Sequence, residues 1–524
     1  MVQLIPRPAQ SVRTEGALSV SGPYRVIAAS PEVESVARVG ADLLTRGRRR
    51  PRVFAGRAGL RVILGLDASL AATPATGVSP GCCSDEAYRL VADASGVACT
   101  GRTVAGVFRA VSTAAQLLHG ADLLPCGVID DFPHFAWRGL MVDVARSFRT
   151  PDELREIVDL CALYKLNVLH LHLTDNEAWR LEIPGMPELT AAETSSAGHG
   201  SYTVTQFAQL QDYAADRLVT IVPEIDLPGH CGALVRAFPW LARLRRPPWL
   251  DDRIPYAGPL DLADGPTSRL IEKIVSAVAA QTLGQFVHIG ADEAFGASRR
   301  TFAAGVRQLR AMVRECGKQP IAWQEAARAG SDKRDIIQHW VNLEMTGLPA
   351  SEAELAARPE LQQAGTTWPV AKALRRHFEP SDDDVHRALD GGAKVLLSPQ
   401  SHLYLDRPYE LAVAPPHQRA RASRLGLAHY RRQDVRSAAA WDPRAAGVAA
   451  ESIAGVEAAI WGESVATFAD LTTLLLPRLP AIAEIAWSGG SAPWAALRGR
   501  LASQAPLWRS RGWSYFASTE IGWQ

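Results

Sequence analysis

The sequence predicts a (β/α)₈ barrel preceded by a smaller α/β domain. From residue 133 onward, short apolar runs that favour β-strands alternate with helical patterns, and eight such runs precede residue 490. A parallel sheet in which helices connect the strands can close as a barrel of this kind. Residues 1 to about 130 follow a different pattern, which predicts a separate domain.

The first domain is predicted to span residues 1–132. Strand-like runs occupy residues 24–27, 60–64 and 88–91, and a helix is predicted from Val104 to Leu118. The run Asp-Asp-Phe-Pro that ends at Pro133 favours a turn, because aspartate and proline both favour turns. This turn is the predicted domain boundary.

The barrel is predicted over residues 133–490. Its first helix has a clear start, since Thr150 and Glu153 form a capping box with a proline between them. Thr203 and Gln206 have the same spacing before a later helix. The predicted strands are residues 138–143, 167–173, 219–225, 286–289, 321–323, 336–340, 395–397 and 456–461.

Two segments extend this plan. The polar stretch near residues 343–388 is too long for a simple barrel loop and is interpreted as an insertion after the sixth strand, where it would shape one side of the barrel mouth or a subunit contact. Residues 491–524 carry spaced tryptophans without a catalytic pattern, and they are predicted to pack on the barrel as a C-terminal extension.

Composition excludes several classes of protein. The chain has 524 residues, 56 Lys and Arg against 55 Asp and Glu, and 47% hydrophobic residues, which is typical of a globular protein. The balanced charge gives no general electrostatic reason to expect a nucleic-acid partner. The apolar stretch 471–487 is broken by prolines and charges, so no membrane span is expected.

The seven cysteines show no metal-binding spacing and favour reduced thiols. Together with an N-terminus that lacks an apolar signal core, they predict a cytoplasmic location, although export by a non-standard route stays open. The adjacent Cys82 and Cys83 are expected to be inert, and the basic run at residues 48–52 is expected to be a solvated loop. A homodimer is among the assemblies that the sequence leaves open.

Chemistry is expected at the C-terminal ends of the barrel strands, where such barrels carry their reacting groups. These ends are rich in carboxylates, histidines and tryptophans, with one tyrosine. Carboxylates can exchange protons with a glycosidic oxygen, and indole rings pack against the apolar faces of sugars. The ring of side chains therefore indicates a carbohydrate substrate. Its main members are Asp175, His230, Asp292, Glu293, Trp323, Trp340, Tyr404, Asp406, Trp461 and Glu463.

Six motifs in order resemble those of glycoside hydrolase family 20, the β-N-acetylhexosaminidases. The resemblance covers nearly the whole chain, since members of this family commonly have a small α/β domain before the barrel. The motifs are Arg138-Gly with Asp143-Val-Ala-Arg146, His170-Leu-His-Leu-Thr-Asp175, Pro223-Glu-Ile-Asp-Leu-Pro-Gly-His230, His288-Ile-Gly-Ala-Asp-Glu293, Tyr404-Leu-Asp406 and Trp461-Gly-Glu463.

The resemblance implies substrate-assisted catalysis, in which the acetamido oxygen of the substrate attacks the anomeric carbon and forms an oxazolinium ion. Glu293 would be the general acid and base, Asp292 would orient the acetamido N–H, and Tyr404 would hold its oxygen. The remaining implied roles are substrate contacts: Trp323, Trp340 and Trp461 as walls of the sugar pocket, Arg138, Asp406 and Glu463 as partners of the ring hydroxyls, and Asp175 and His230 as a polar network around Glu293. An exo-acting hydrolase of terminal GlcNAc or GalNAc follows, with an N-acetylhexosamine-containing oligosaccharide or glycoconjugate as partner and no cofactor.

Two residues depart from the family pattern. Ala291 stands where the family usually has glycine, and Asn176 stands where a second aspartate is common. If the backbone at residue 291 needs a positive φ, alanine would cost about 1 kcal/mol.

Two alternative functions stay open at this stage. His170 and His172 lie on one face of a strand and could supply ligands to a metal-dependent amidohydrolase, although a structural role is equally compatible with them. The chain could also be a sugar-binding relative with weakened turnover. Neither the choice between the two sugars nor the natural aglycone follows from the sequence.

Overall fold

The computed structural model describes residues 3–20, 23–45, 59–81, 85–119, 122–191, 195–242, 246–248, 256–363 and 365–523. Cys82, Cys83 and the basic run at residues 48–52 lie outside these ranges. Among the described residues, no helix is both long and apolar enough to cross a membrane. The cysteines that the structure describes are free thiols.

The N-terminal domain is a mixed sheet in the order β1-β6-β4-β5-β3-β2, with two helices against it. The predicted helix α2 has the predicted bounds, because Thr103 caps its first turn by accepting from the Gly106 N–H. Asp130 and Asp131 end a strand instead of forming a turn. The elements are β1 Gln10–Ser19, β2 Tyr24–Ala28, α1 Glu34–Thr45, β3 Leu60–Leu66, β4 Tyr88–Asp93, β5 Gly96–Gly101, α2 Val104–Leu118 and β6 Leu123–Asp131.

The rest of the chain up to residue 488 forms a closed barrel of eight parallel strands, as the sequence predicts. The strand residues are buried almost throughout, which explains why these strands are continuous apolar runs. The strands are β7 Trp137–Asp143, β8 Val168–His172, β9 Thr220–Glu224, β10 Phe286–His288, β11 Gln319–Trp323, β12 Ile336–His339, β13 Lys394–Leu397 and β14 Ile453–Ile460.

Helices and shorter helical segments connect these strands. Both predicted capping boxes are present, at Thr150 with Glu153 and at Thr203 with Gln206. The helices are α3 Pro151–Leu163, α4 Val204–Ala215, α5 Gly232–Ala237, α6 Gly265–Gln281, α7 Arg299–Glu315, α8 Glu352–Ala356, α9 Pro359–Gln363, α10 Trp368–Phe378, α11 Asp384–Asp390, α12 Gln400–Leu403, α13 Arg419–Arg424, α14 Val435–Ala438, α15 Phe468–Leu475 and α16 Arg478–Ser488.

The segment interpreted as an insertion lies between β12 and β13 and contains α8, α9, α10 and α11. Ser381 and Asp384 tie it to the barrel, since Arg328 after strand β11 donates to both side chains. The segment therefore emerges at the C-terminal ends of the strands, where the sequence places the chemistry.

The C-terminal helix α17, Trp494–Ser510, packs on the outside of the barrel and reaches the N-terminal domain. Its Trp508 indole donates to the Tyr164 hydroxyl at 2.6 Å, and Gln504 donates to the Gln3 carbonyl. Beyond the helix, Trp513 donates to Glu156 on α3. Aromatic spacing in this tail thus serves packing.

Candidate active site

The predicted polar and aromatic residues meet at the C-terminal ends of the strands, with one exception described below. Each lies at the end of a strand or in the connection that follows it, so the barrel brings together residues that are far apart in sequence. Asp175 follows β8 and His230 follows β9; Asp292 and Glu293 follow β10; Trp323 ends β11 and Trp340 follows β12; Tyr404 and Asp406 follow β13; Trp461 and Glu463 follow β14.

The backbone before the acid pair has an unusual conformation. Gly290, Ala291 and Glu293 have φ values of 70°, 77° and 40°. The backbone at Ala291 therefore has the positive φ at which alanine is less favourable than glycine. The Ala291 N–H donates to Asp226 Oδ1 at 3.1 Å. A Cβ at Gly290 would lie 1.7 Å from the same oxygen, which leaves room only for glycine. Backbone strain of this kind is typical of functional sites.

Asp292 is buried and lies within hydrogen-bonding reach of Asp226. Burial and the neighbouring Asp226 carboxylate raise the pKa of Asp292 well above its usual value. Burial likewise raises the pKa of Asp226, with Glu224 adding to the effect. Two close carboxyl groups cannot both ionise easily, so this pair retains a proton over a wide pH range.

Glu293 is less buried than Asp292 and keeps 30% of its side chain exposed. Burial of its carboxyl raises the pKa of Glu293, while the nearby His230 opposes this shift. His230 Nε2 lies 3.7 Å from Glu293 Oε2, and its Nδ1 lies 3.1 Å from Asp175 Oδ1. Burial lowers the pKa of His230, but Asp175 and Asp292 outweigh it and raise the value to about 10. The imidazole is therefore a cation beside the acid.

Aromatic rings form a cluster near Asp292, which lies within electrostatic reach of Tyr404. The Trp340 and Tyr404 rings lie parallel with centroids 6.3 Å apart, and Trp461 lies 6.1 Å from Tyr404 and 5.9 Å from Trp323. Two of the indoles are fixed by carboxylates: Trp323 donates to Glu224 at 2.7 Å and Trp340 donates to Glu325 at 3.1 Å. Rings held in this way form a rigid apolar wall.

A polar group lies beside Trp461. Asp406 accepts from the Trp461 N–H at 3.4 Å and keeps a buried oxygen without a partner among the described residues. Burial and Glu463 raise the pKa of Asp406 to about 8. The Glu463 side chain is exposed and lies within electrostatic reach of Arg146.

Arg146 also belongs to the site, although no role was predicted for it from the sequence. Its guanidinium lies 5.3 Å from the Trp461 ring and 2.7 Å from Asp175 Oδ2, with a further contact to Asp143. Arg146 follows strand β7 and ends the motif Asp143-Val-Ala-Arg146, and this position at a strand end was a signal that could have predicted its place in the site.

Arg138 is the exception, and the prediction that it binds sugar hydroxyls is wrong. It is the second residue of β7, about 16 Å from the C-terminal end at about 3.3 Å per residue. The side chain is completely buried and pairs with Glu86 of the N-terminal domain at 2.7 Å. Burial lowers the pKa of Arg138 to about 10. Its role is to join the two domains.

His170 and His172 belong to a buried network around Glu224. The Glu224 carboxylate contacts His170 at 3.2 Å, His172 at 2.6 Å and His288 at 3.0 Å. The spacing of His170, Glu224 and His288 would fit a metal ion. However, Glu224 and Glu457 raise the pKa of His170 to about 9 against the effect of burial, and metal ligation needs a neutral imidazole. The network is better suited to hold Trp323 in place.

Family comparisons agree with this arrangement. The model for the catalytic domain of glycosyl hydrolase family 20 matches residues 135–358 and 366–490, and the model for domain 2 of that family matches residues 1–132. The chain belongs to glycoside hydrolase family 20. As a family 20 member it is a glycosidase, and the metal-dependent amidohydrolase hypothesis is set aside.

Family 20 relatives match over the full length of the chain. A β-N-acetylhexosaminidase of Cellulomonas fimi is 34% identical over 100% of this chain and 97% of its own length. The solved β-N-acetylhexosaminidase of Streptomyces coelicolor A3(2) superposes with a TM-score of 0.77 at 30% identity and covers 100% and 99% of the two chains. A mutant β-hexosaminidase of Streptomyces plicatus in complex with its product GlcNAc has a TM-score of 0.77 at 29% identity and covers 100% and 98%.

Proposed function

We propose that this chain is an exo-acting, retaining β-N-acetylhexosaminidase that removes terminal β-linked GlcNAc or GalNAc with the help of the substrate's own acetamido group. The observation that carries this proposal is the contrast between two adjacent carboxyl groups. Asp292 is buried beside Asp226 and within electrostatic reach of Tyr404, whereas Glu293 lines an open cavity. One can act on the bound sugar while the other reaches the leaving group.

The enclosed side suits an acetamido group. Trp323, Trp340 and Trp461 would surround its methyl group, and the Tyr404 hydroxyl would donate to its oxygen. Asp226 and Asp292 retain one proton between them. The acetamido N–H of a bound sugar would favour the ionised form of Asp292, which shifts that proton to Asp226. An ionised Asp292 stabilises the positive charge that develops on the acetamido nitrogen.

The reaction would proceed in two steps. The acetamido oxygen forms a bond to the anomeric carbon as the glycosidic bond breaks, and Glu293 gives its proton to the leaving oxygen. Water then attacks the oxazolinium ion and loses a proton to Glu293, which regenerates the acid. Both displacements invert the anomeric carbon, so the configuration is retained overall.

The polar group beside Trp461 supports exo action. Arg146, Asp406 and Glu463 lie beside Trp461 and offer polar or charged partners for the hydroxyl groups of the bound sugar. Partners of this kind favour a terminal sugar, because a further sugar in their place would leave the buried Asp406 oxygen unpaired. These groups could serve either epimer at the 4-hydroxyl.

Release of 4-nitrophenol from the β-N-acetylglucosaminide tests the proposal, with the N-acetylgalactosaminide alongside and the β-glucoside as the control that lacks the acetamido group. We expect turnover of the acetamido sugars only, and a loss of about 10²–10⁴-fold in kcat for both Glu293→Gln and Asp292→Asn. Fluorination of the acetyl methyl should slow the wild type steeply, since it weakens the attacking oxygen. Comparable turnover of the β-glucoside would contradict substrate assistance, and binding without turnover would favour a sugar-binding relative.

Location and assembly are separate proposals. The free thiols support a cytoplasmic enzyme, which cell fractionation with activity assays would test. A homodimer is proposed for the assembly, and sedimentation of the purified chain would decide between monomer and dimer.

A further inference from the structure

A cavity of about 330 Å³ opens beside the exposed face of Glu293. Its charged lining within the described residues consists of four arginines and two carboxyl groups. The cavity volume lies within the range of about 300–1,000 Å³ that is usual for small-molecule sites. The charged residues are Glu293, Glu325, Arg299, Arg328, Arg376 and Arg387.

The position of the cavity fixes its role under the proposed function. Glu293 must reach the glycosidic oxygen, so the leaving sugar lies on the open side of its carboxyl group. Arg376 and Arg387 belong to the segment between β12 and β13, whereas Arg299 begins α7. The leaving sugar therefore meets arginines from two separate elements.

Two of the arginines are already neutralised. Arg328 makes a bidentate contact with Asp384, with its Nε 3.0 Å from Oδ1 and its Nη2 2.7 Å from Oδ2, and Arg387 reaches the same carboxylate at 2.8 Å. Asp383 lies 3.1 Å from Arg387. The two arginines and two aspartates of these pairs leave almost no net charge on this side of the cavity.

The other two arginines are unbalanced. Arg299 and Arg376 are exposed, and neither forms an ion pair with any residue that the structure describes. Arg299 also occupies the first turn of α7, which carries no acidic residue. A cation at this end of a helix is unfavourable, because the helix dipole is positive there. An anion in the cavity would satisfy both the guanidinium groups and the helix end.

The carboxyl groups of the lining oppose this positive charge only weakly. Glu293 is protonated when it acts as the acid. Burial raises the pKa of Glu325 to about 7, and its Oε2 accepts from the Trp340 indole. His377, also in the lining, is neutral, since burial lowers its pKa to about 4. The cavity is thus distinctly cationic in a chain whose net charge is only +1.

We infer that the cavity binds an anionic group on the leaving sugar, so that the preferred substrates join the terminal N-acetylhexosamine to an acidic sugar. Arg299 and Arg376 would be the specificity-determining residues, as their planar guanidinium groups can each donate two hydrogen bonds to an oxyanion. A carboxylate and a sulfate ester share this chemistry. The inference rests on the proposed function.

A matched pair of disaccharides tests the inference. Both carry terminal β-GlcNAc, one on a uronic acid and the other on the methyl ester of the same uronic acid, so that only the charge differs. We expect kcat/KM of the wild type to be about tenfold higher for the acid at low ionic strength, and the ratio to fall as salt screens the charges. A sulfated hexose compared with its neutral parent distinguishes the second source of negative charge.

The double variant Arg299→Gln with Arg376→Gln should bring the ratio of acid to ester close to one. Because the ratio is measured within one preparation, partial misfolding does not affect it. Arg300→Gln, an exposed change in the same turn of α7, is the matched control and should keep the wild-type ratio.

Equal kcat/KM for every charged and neutral pair, or a preference that survives in the double variant, would overturn the inference. A preference for the sulfated sugar alone would support the inference and identify the anionic group as a sulfate ester. If the wild type fails to release 4-nitrophenol from its aryl glycoside, the proposed function fails separately. Calorimetric binding of the acid and ester disaccharides would then still decide whether the cavity selects an anion.

Discussion

Gly290 and Ala291 are neighbours with similar positive φ values, but a side chain meets different surroundings at each. The Ala291 methyl is accommodated in the core, whereas a methyl at Gly290 would collide with Asp226. The glycine that the family favours at position 291 is therefore replaceable, and the glycine before it is not.

Exchange of these two residue types makes this difference measurable. Gly290→Ala should lower kcat by about 100-fold or more, because movement of the backbone displaces the acid pair. Ala291→Gly should keep kcat/KM within about threefold. Ala291→Gly relieves about 1 kcal/mol of backbone strain, but it also removes a buried methyl worth about 0.8 kcal/mol and gives the unfolded chain more entropy. The free energy of unfolding should therefore change by less than about 1 kcal/mol. Similar losses of kcat in both variants would contradict this prediction.

His230 controls the protonation of Glu293 through its positive charge. His230→Gln removes this charge and leaves Asp175 less compensated, so both effects raise the pKa of Glu293. Glu293 must be protonated to act on the leaving group, and activity falls as pH rises through its pKa. The alkaline limb of the kcat/KM profile should therefore move to higher pH.

The pH profile of this variant separates an electrostatic role from a merely structural one. A lower maximum rate with an unmoved alkaline limb would contradict the electrostatic role of His230. His386→Gln, at an exposed site on α11, is the control and should leave the profile unchanged.

Sequence prediction worked at the residue scale where strand order decides the geometry. Asp292, Tyr404 and Trp461 were found because the ends of parallel strands converge at one rim. Arg138 was misassigned because a one-dimensional pattern does not tell which end of β7 faces the substrate. Arg146, eight residues later, takes the position at the rim.

At the scale of elements, predictions held where a local signal marks a boundary. The capping boxes and continuous apolar strands of the barrel are such signals. Strand β1 was missed because its residues are mostly exposed and carry no clear alternation. Strand β5 begins at a glycine with a φ of 139°, which interrupts the pattern of a strand.

The capping box of α3 should contribute to stability and not to catalysis. Thr150→Ala removes the acceptor for the Glu153 N–H and should lower the free energy of unfolding by about 1 kcal/mol, measured by urea denaturation, with kcat unchanged. Glu272→Ala, an exposed change on α6, is the control and should change stability by less than about 0.5 kcal/mol. A change in kcat for Thr150→Ala would contradict the purely structural role.

At the scale of the whole molecule, buried charges join the two domains. Glu86 of the N-terminal domain contacts Arg109 and, across the interface, Arg138 of the barrel. Lys165 of the barrel pairs with Asp131 of the first domain at 2.9 Å. Buried pairs of this kind are costly to break, because one partner is left uncompensated.

Arg138→Met should therefore destabilise the enzyme by about 3–5 kcal/mol in chemical denaturation, while the folded fraction keeps its KM for the aryl glycoside. Arg146→Met is the matched comparison at the other end of the same strand, and it should raise KM. An increase in KM for Arg138→Met, with little loss of stability, would show instead that Arg138 binds the sugar.

The charge pairs between the domains also bear on how the chain can be divided. Division of the chain near residue 132 would give two fragments. The first would expose Glu86 and Asp131 to solvent, and the second would contain Arg138 and Lys165 without these partners. Each half would expose charged side chains that have lost a partner in the other half. Neither half should therefore be stable when it is expressed alone, although the two halves have complementary surfaces. When both halves are expressed together they should associate and restore activity, as in a split enzyme.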